Sequence, residues 1–349
     1  MQNELDRLIQ NKYKFIDLRS EKEFKKGSIP NSINLPILSD IEHESVGIEY
    51  KKNGQKSAIN LGHNLVSGEI KKERVKSWCD YINKNINTKI FCYRGGLRSQ
   101  IALKWIEESG VKTSLIPGGY KKLRAFCIDI IQIKNSSDKK WIILGGNTGS
   151  GKTNFLLPYK STVNLEGIAN HRGSAFGKKI TGQPTASDFE NKLAIEYLKN
   201  KSNWLLLEDE SRLIGKNILH ENWYQKMQTS DLIILKVSIK QRIDNIYREY
   251  ISDPLRNSLT NEQLFTMMRQ ALFNIKKRLG GQRYGEIYSV MEQSFREQNE
   301  ILHKEWIEKI LKYYYDPMYN YKMEKREKYI TFRGTSDEVK AYLKELGVS

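Results

Sequence analysis

What this sequence lacks narrows it first. No apolar run approaches the roughly 18 residues that a membrane-crossing helix needs, and the opening Met1-Gln2-Asn3-Glu4 shows no signal-peptide pattern. A cytoplasmic protein with no membrane partner is expected. Cysteine is scarce: Cys79, Cys92 and Cys127 are the whole supply. They are too few and too far apart for a disulfide framework or a four-ligand zinc site, so no metal site is assigned. No internal repeat is present. Acidic residues are the minority, 41 against 58 Lys and Arg, which leaves a net charge of +17. That excess favours a polyanionic partner such as nucleic acid, although a Lys-rich composition alone would also produce it. The 349 residues, 39% hydrophobic and 28% charged, suit a globular chain of two domains, each able to bury a core.

The chain is organised around Leu144-Gly145-Gly146-Asn147-Thr148-Gly149-Ser150-Gly151-Lys152-Thr153. Trp141-Ile142-Ile143-Leu144 reads as a short buried strand, and the loop after it fits the phosphate-binding pattern G-x-x-x-x-G-K-[ST]. Gly146, Gly149, Ser150 and Gly151 let backbone N–H groups converge on phosphate oxygens. Lys152 supplies a point charge, the Thr153 hydroxyl suits a magnesium ion, and a helix opening near Gly151 adds its positive end. The pattern specifies phosphate or diphosphate and does not say which molecule carries it.

Upstream, Phe15-Ile16-Asp17-Leu18-Arg19 is a strand, residues 20–26 a short helix, and residues 27–36 a turn and an extended edge. Asp17, Arg19, Glu23, Phe24, Gly27, Ile29 and Pro30 make this segment resemble the opening of a rhodanese domain, with Ser28 and Asn31 departing from its usual His and Gly. Lys89-Ile90-Phe91 is a second strand, followed at once by Cys92-Tyr93-Arg94-Gly95-Gly96-Leu97-Arg98-Ser99 and by helical apolar spacing from Leu97 to Ile106. Cys92 therefore sits at the mouth of a strand–loop–helix, where helix amides together with Arg94 and Arg98 activate a thiol and wrap an anion. Gly95, Gly96 and Ser99 complete that loop. Cys79 and Cys127 suit the commoner fate of a small buried hydrophobe. The C-x5-R spacing resembles the roomier phosphatase-type loop more than the shorter sulfur-transfer loop, which suits a tetrahedral oxyanion; Phe91 stands where phosphatases commonly carry His. Residues 114–120 look like the last rhodanese strand and turn, with a helix through Ile131.

Residues 134–140 are a polar linker. The expected architecture is an α/β rhodanese-like domain over 1–133, then over 141–349 a P-loop NTPase-like parallel-sheet α/β domain with a helical, basic C-terminal part. Residues 162–166 are a plausible strand followed by a small-residue loop carrying His171 and Arg172, either a ligand loop or a plain surface loop. Residues 186–200 read as a helix. Trp204-Leu205-Leu206-Leu207 is an apolar strand ending in Glu208-Asp209-Glu210-Ser211-Arg212, acids placed as in a Walker B element. Residues 231–237 are another strand, and Thr260 with Gln263 forms a capping box for a further helix. Tyr313 to Tyr321, flanked by Lys322, Lys325, Arg326 and Lys328, interleaves aromatics with cations. That pattern fits base stacking by Tyr315 and Tyr319 with phosphate contacts from Lys322 and Arg326. It fits a hydrophobic cap with snorkelling lysines equally well.

Taken together, the cysteine loop, the phosphate loop, Ala169-Asn170-His171-Arg172-Gly173-Ser174, Glu208-Asp209-Glu210-Ser211-Arg212 and Tyr314-Tyr315-Asp316-Pro317-Met318-Tyr319 resemble, in this order, the tRNA 2-selenouridine synthase family from end to end. The resemblance implies a two-step transferase. Wobble 2-thiouridine of tRNAs for Lys, Glu and Gln would be geranylated from geranyl diphosphate. Selenium from selenophosphate, supplied by a selenophosphate synthetase, would then displace the geranylthio group. It implies Cys92, Arg94 and Arg98 as catalytic residues and the phosphate loop as the diphosphate site. His171, Arg172, Glu208, Asp209, Glu210 and Arg212 would support that site, with no tightly bound cofactor beyond a possible magnesium ion. Two other readings stay open on the residues alone: a phosphatase-like domain fused to an ATP-dependent nucleotide or RNA kinase, and a non-catalytic RNA-binding or sulfur-carrier module.

Overall fold

A computed structural model describes residues 13–133, 139–257 and 259–348; most of the linker expected at 134–140 lies outside the described residues. The chain divides into two units. The first is Met1–Asn135 together with Pro184–Lys199, and the second is Ser136–Gln183 together with Asn200–Ser349.

The first unit is built on a parallel sheet of β1 (Lys14–Asp17), β2 (Ser32–Asn34), β3 (Thr88–Phe91) and β4 (Ser114–Leu115), in the order β2-β1-β3-β4. Side chains alternate between the faces of a strand. Ile16 and Ile90 accordingly join Leu18, Trp78, Trp105 and Ile106 in one core, while Phe15 and Phe91 meet edge to face at 6.2 Å. Helices Asp40–Leu65 and Gly68–Lys84, which the sequence reading left unassigned, fill the stretch between β2 and β3. The first is broken at Gly54, whose φ of 80° and ψ of −176° interrupt the helical turn. Trp78 fastens the second by donating its indole N–H to Leu35 O at 2.9 Å and stacking on Trp105.

Helix Ala186–Lys199, which falls within the segment assigned to the P-loop domain, completes this first unit by packing on helix Gly119–Ile131. Polar bonds fix its register. Ser28 donates through N–H and hydroxyl to Asp188, at 2.7 and 2.9 Å. Asn191, fully buried, donates to Ser28 O at 2.7 Å and accepts from Arg124 at 2.9 Å. The residue that departs from the usual turn His therefore has a partner of its own. Asn31, the other departure, holds φ of 68°, a left-handed position that Asn tolerates better than most residues.

The second unit has a parallel sheet of β5 (Lys140–Gly145), β6 (Trp204–Glu208), β9 (Asp231–Leu235) and β10 (Ile330–Gly334), ordered β10-β9-β5-β6, with a small hairpin of β7 (Leu213–Ile214) and β8 (Asn217–Ile218). The strand expected at 162–166 does not form. Thr162 makes a single parallel bridge to Leu206, and Asn164 caps helix Leu165–Ala169 by accepting from Gly167 N. After β9 the described residues are mostly helical up to residue 324, around a core that includes Ile246, Leu272, Met291, Trp306 and Leu311. The Thr260–Gln263 capping box is present. Two π-type turns, Arg248–Ser252 and Leu311–Tyr315, interrupt this run.

The docked helix is testable. Asn191→Ala leaves Arg124 and Ser28 O short of partners at a buried site, which costs about 1–3 kcal/mol. Urea unfolding followed by near-ultraviolet circular dichroism should show a lower midpoint at unchanged slope.

Candidate active site

Two anion cradles stand on the two sheets, one in each unit. In the first unit β3 runs into Cys92, which is 4% exposed, and helix Leu97–Glu108 leaves the far side of the loop. The loop is shaped by its carbonyls being taken elsewhere: Tyr120 N–H donates to Cys92 O at 3.0 Å and Lys121 N–H to Tyr93 O at 2.9 Å. The amides of residues 93–98 find no protein acceptor among the described residues. Gly95 needs its glycine, because it holds φ of 65° and a Cβ would stand 2.8 Å from Ile116 O. Arg98 pairs through both terminal nitrogens with Glu23, at 2.5 and 3.1 Å, and Glu23 also closes the capping box of helix Glu21–Lys25. Burial would raise the Glu23 carboxyl, but the Arg98 guanidinium holds it below its usual value. Arg94 is exposed, Gly96 caps the helix, and Ser99 is buried with its hydroxyl unpartnered among the described residues. Beneath them Asp17 and Arg19 form a buried pair, and Arg19 lies 3.6 Å over the Tyr120 ring.

In the second unit the loop after β5 borders a cavity of about 610 Å³. Only a five-residue helix, Lys152–Leu156, follows it, so the expected positive helix end is short and the loop amides carry the cradle. Amides of Gly149, Gly151, Lys152 and Thr153 donate to no acceptor among the described residues. The loop carbonyls are again occupied from outside. Arg242, buried, donates to Thr148 O at 2.9 Å, and Asn245 donates to Gly149 O at 3.0 Å. Asp316 receives Arg242 at 2.5 Å and Asn147 at 2.9 Å. Lys152 Nζ donates to Gly146 O at 2.9 Å. Ser150 is buried and does not line the cavity.

The three consecutive acids divide. Glu208 accepts the Thr153 hydroxyl at 2.9 Å, and Glu166, unforeseen in the sequence, accepts it at 3.1 Å. Glu166, Glu208 and Glu210 each bring a carboxylate oxygen within 4.8 Å of the others, a set of hard oxygens that suits a divalent cation beside Thr153. Burial raises all three carboxyls; repulsion from Glu166 adds to it at Glu208 and at Glu210, which is raised to about 8, and repulsion from Glu249 adds to it at Glu166. Asp209 faces the other way. Burial alone would raise it, but Lys322 at 2.9 Å and Arg326 at 2.5 Å keep it below its usual range. Gly173, at φ of 60°, lies against Glu210 so closely that a Cβ would overlap the carboxylate.

Several expected site residues sit differently. Arg172 lines the cavity and lies 5.0 Å from the Tyr250 ring, but His171 is buried away from it, with burial lowering its pKa. Arg212 is held by Glu221 outside the cavity. Tyr315 and Tyr319 are not an exposed stacking surface: they line the phosphate-loop cavity with buried hydroxyls. Arg326, 4% exposed, is tied to Asp209, Met227 O and Gln228 O, and Lys322 is tied to Asp209, so neither is a free phosphate contact. The π-type turn and helix Asp316–Glu324 cause this inward turn. The exposed aromatic–cation pair of that stretch is Tyr321 with Lys325, at 4.1 Å. Arg242 and Asp316, which fix the phosphate loop, carried no site signal in the sequence.

A cysteine loop on one parallel sheet and a phosphate loop on a second define a rhodanese-like domain joined to a P-loop domain. Residues 1–125 match the rhodanese-like domain model and residues 139–348 the tRNA 2-selenouridine synthase AAA domain model. The chain is 41% identical over 352 residues to the tRNA 2-selenouridine synthase of Pseudomonas syringae pv. syringae, with 97% of this chain and 96% of that one covered. It is 42% identical to that of Pseudomonas fluorescens (96% and 95% covered) and 41% identical to that of Shewanella pealeana (98% and 97%). The chain belongs to the tRNA 2-selenouridine synthase family. No helix among the described residues is long and apolar enough to cross a membrane.

The raised Glu210 carboxyl gives a signed prediction. Its folded pKa of about 8 lies above the ordinary carboxyl value of 4.5. The stability it contributes is therefore full below about pH 4.5 and is lost as pH rises through about 8. Glu210→Gln should melt like the wild type at pH 5 and a few degrees higher at pH 9, at ~2–4 °C per kcal/mol. Mg²⁺ or Mn²⁺ should raise the wild-type melting temperature at pH 9 and raise that of the variant less.

Proposed function

We propose that this enzyme converts wobble 2-thiouridine of tRNA into 2-selenouridine in two transfers. The observation that carries the reading is the likeness to tRNA 2-selenouridine synthases over nearly the whole chain, with both anion cradles intact. In the first transfer geranyl diphosphate lies with its diphosphate in the phosphate loop. The allylic C–O bond breaks, the base sulfur gains the carbon, N3 of the base loses its proton, and diphosphate departs. Negative charge grows on the diphosphate oxygens as that bond breaks. Lys152 and the unpaired amides of Gly149, Gly151 and Thr153 are arranged to receive it. A magnesium ion held by Thr153, Glu166, Glu208 and Glu210 would supply further charge there.

In the second transfer selenophosphate, a tetrahedral oxyanion, occupies the Cys92 loop, where the amides of residues 93–98 bind its oxygens and Arg98 supplies charge in exchange for Glu23. Selenium is already at the selenide level, so no oxidant is needed. The C2–Se bond forms, the C2–S bond breaks with loss of geranylthiolate, and water takes the phosphorus from selenium. Cys92 presents its thiol to the selenium donor. The substrates are tRNAs for Lys, Glu and Gln, the selenophosphate comes from a selenophosphate synthetase, and the +17 charge holds the polyanion.

One observation favours a second reading: the carboxylate set beside Thr153 would serve Mg²⁺–ATP equally, as in a nucleotide or RNA kinase. Radiolabelled geranyl diphosphate and ATP, each offered with thiolated tRNA, separate the two. Geranyl incorporation with ATP untouched is expected; phosphorylation of the RNA with geranyl diphosphate untouched would replace the synthase reading with the kinase.

Two variants extend the test. Lys152→Ala should slow geranylation ~10²–10³-fold, by analogy with loss of one oxyanion donor, yet still selenate tRNA supplied already geranylated. Cys92→Ser should abolish selenation while geranylated tRNA accumulates, read by mass analysis of the nucleosides.

A further inference from the structure

The first unit contains an apolar cavity of about 210 Å³ that neither the cysteine chemistry nor the sheet packing accounts for. Its walls come from three places. Val46 and Tyr50 precede the Gly54 break in helix Asp40–Leu65, Ala58 and Ile59 follow it, and Leu97 and Ile101 belong to the helix that leaves the Cys92 loop. The break at Gly54 lets the two halves of the long helix face one space rather than run on as one rod. Trp105 closes the inner end, stacked on Trp78, with Lys71 4.6 Å over its ring. At the mouth Tyr50 is 57% exposed and Leu97 42% exposed.

Two features give this cavity an occupant. The first is continuity with the cysteine loop. Leu97 and Arg98 line the cavity, and they are also the last residues of the C-x5-R loop. Arg98 sends its guanidinium to Glu23 and contributes the rest of its side chain to the cavity wall, as long cationic side chains commonly do. A group bonded to an atom reacting at the loop would therefore lie at the cavity mouth. The second feature is size and chemistry. A cavity of about 150 Å³ admits benzene, so by the same ratio 210 Å³ encloses roughly eight carbons, most of a ten-carbon chain whose end would lie in the open mouth. The polar groups of the lining are on Tyr50, Gln55, His63, Arg98 and Trp105, and the Arg98 guanidinium is already paired with Glu23; the rest is aliphatic. By contrast the apolar slot in the second unit, between Phe176, Met268 and Trp306, measures about 30 Å³, space for little more than one water.

We propose that this cavity receives the geranyl chain of the S-geranyl-2-thiouridine intermediate while its C2 carbon stands at the Cys92 loop. The inference rests on the two-transfer reading above and adds the receptacle that reading requires. Holding the chain out of water fixes the thioether carbon against the selenium donor and sets the geranylthiolate up as the leaving group. It also makes the selenation step discriminate a prenylated base from an unmodified one, so that the first transfer licenses the second.

The test uses the full-length protein with two nucleoside probes, S-geranyl-2-thiouridine and S-methyl-2-thiouridine, with binding followed by calorimetry. The geranyl probe should bind at least tenfold more tightly than the methyl probe. Val46→Phe, which fills the cavity from a half-buried position, and Ile59→Ser, which makes its wall polar, should each bring that ratio towards one. With tRNA already carrying S-geranyl or S-methyl groups, the same variants should lower the geranyl-to-methyl ratio of kcat/KM for selenation at least tenfold. Equal wild-type affinity for the two probes, or a geranyl preference intact in both variants, would overturn the proposal. If geranyl preference is present and lost in the variants while the wild type makes no 2-selenouridine, the cavity assignment stands and the reaction reading falls.

Discussion

A loop that offers its backbone N–H groups to an anion must first dispose of its carbonyls. Left inward they would repel the ligand, and buried without partners each would cost about 1–3 kcal/mol. Both cradles meet this constraint in the same way, with donors from a later part of the chain. Tyr120 and Lys121 take the carbonyls of Cys92 and Tyr93. Arg242 and Asn245 take those of Thr148 and Gly149, and Asp316 holds Arg242 in place. The amides are free because the carbonyls are not. Much of the helical C-terminal half of the second unit serves to bring Arg242 and Asp316 to one side of ten residues of loop.

The acids show a related division of labour. Three neighbours, Glu208, Asp209 and Glu210, meet opposite electrostatic environments. Asp209 is compensated by two cations and behaves as a structural anchor for helix Asp316–Glu324. Glu208 and Glu210 are buried and face Glu166 with Lys152 as the nearby positive charge; burial first, then the Glu166 carboxylate, makes them hold their protons more tightly. Carboxyl oxygens without a cation partner of their own are therefore concentrated beside Thr153, on the side of the strand where the phosphate loop lies.

The loops were legible in the sequence because their chemistry is local: a glycine run after an apolar strand, or a cysteine six positions before an arginine, needs no knowledge of the rest of the chain. The sheets and most helices followed from period and caps, down to the Thr260–Gln263 box. What escaped was whatever depends on partners far along the chain. Arg242 reads as an ordinary helical cation until Asp316, 74 residues later, lies against it. Glu166 reads as the end of a strand, because nothing local announces that Asn164 will cap a helix there. Tyr315 and Tyr319 read equally well as a base-stacking surface or a hydrophobic cap, because the local pattern of aromatics and cations does not say which side the π-type turn at Leu311–Tyr315 sends towards the cavity.

The helix contributed by residues 186–199 makes the first unit discontinuous in sequence, with the phosphate loop encoded inside it. On the ribosome, neither unit can finish before the other has begun. The cysteine-loop unit lacks its last helix until Lys199 has emerged, by which time β5 is already made and still waiting for β9 and for β10 near the end of the chain. The order of synthesis thus interleaves two folding events that a simple pair of tandem domains would keep apart. A gene fragment ending at the polar linker would encode the first unit without its last helix.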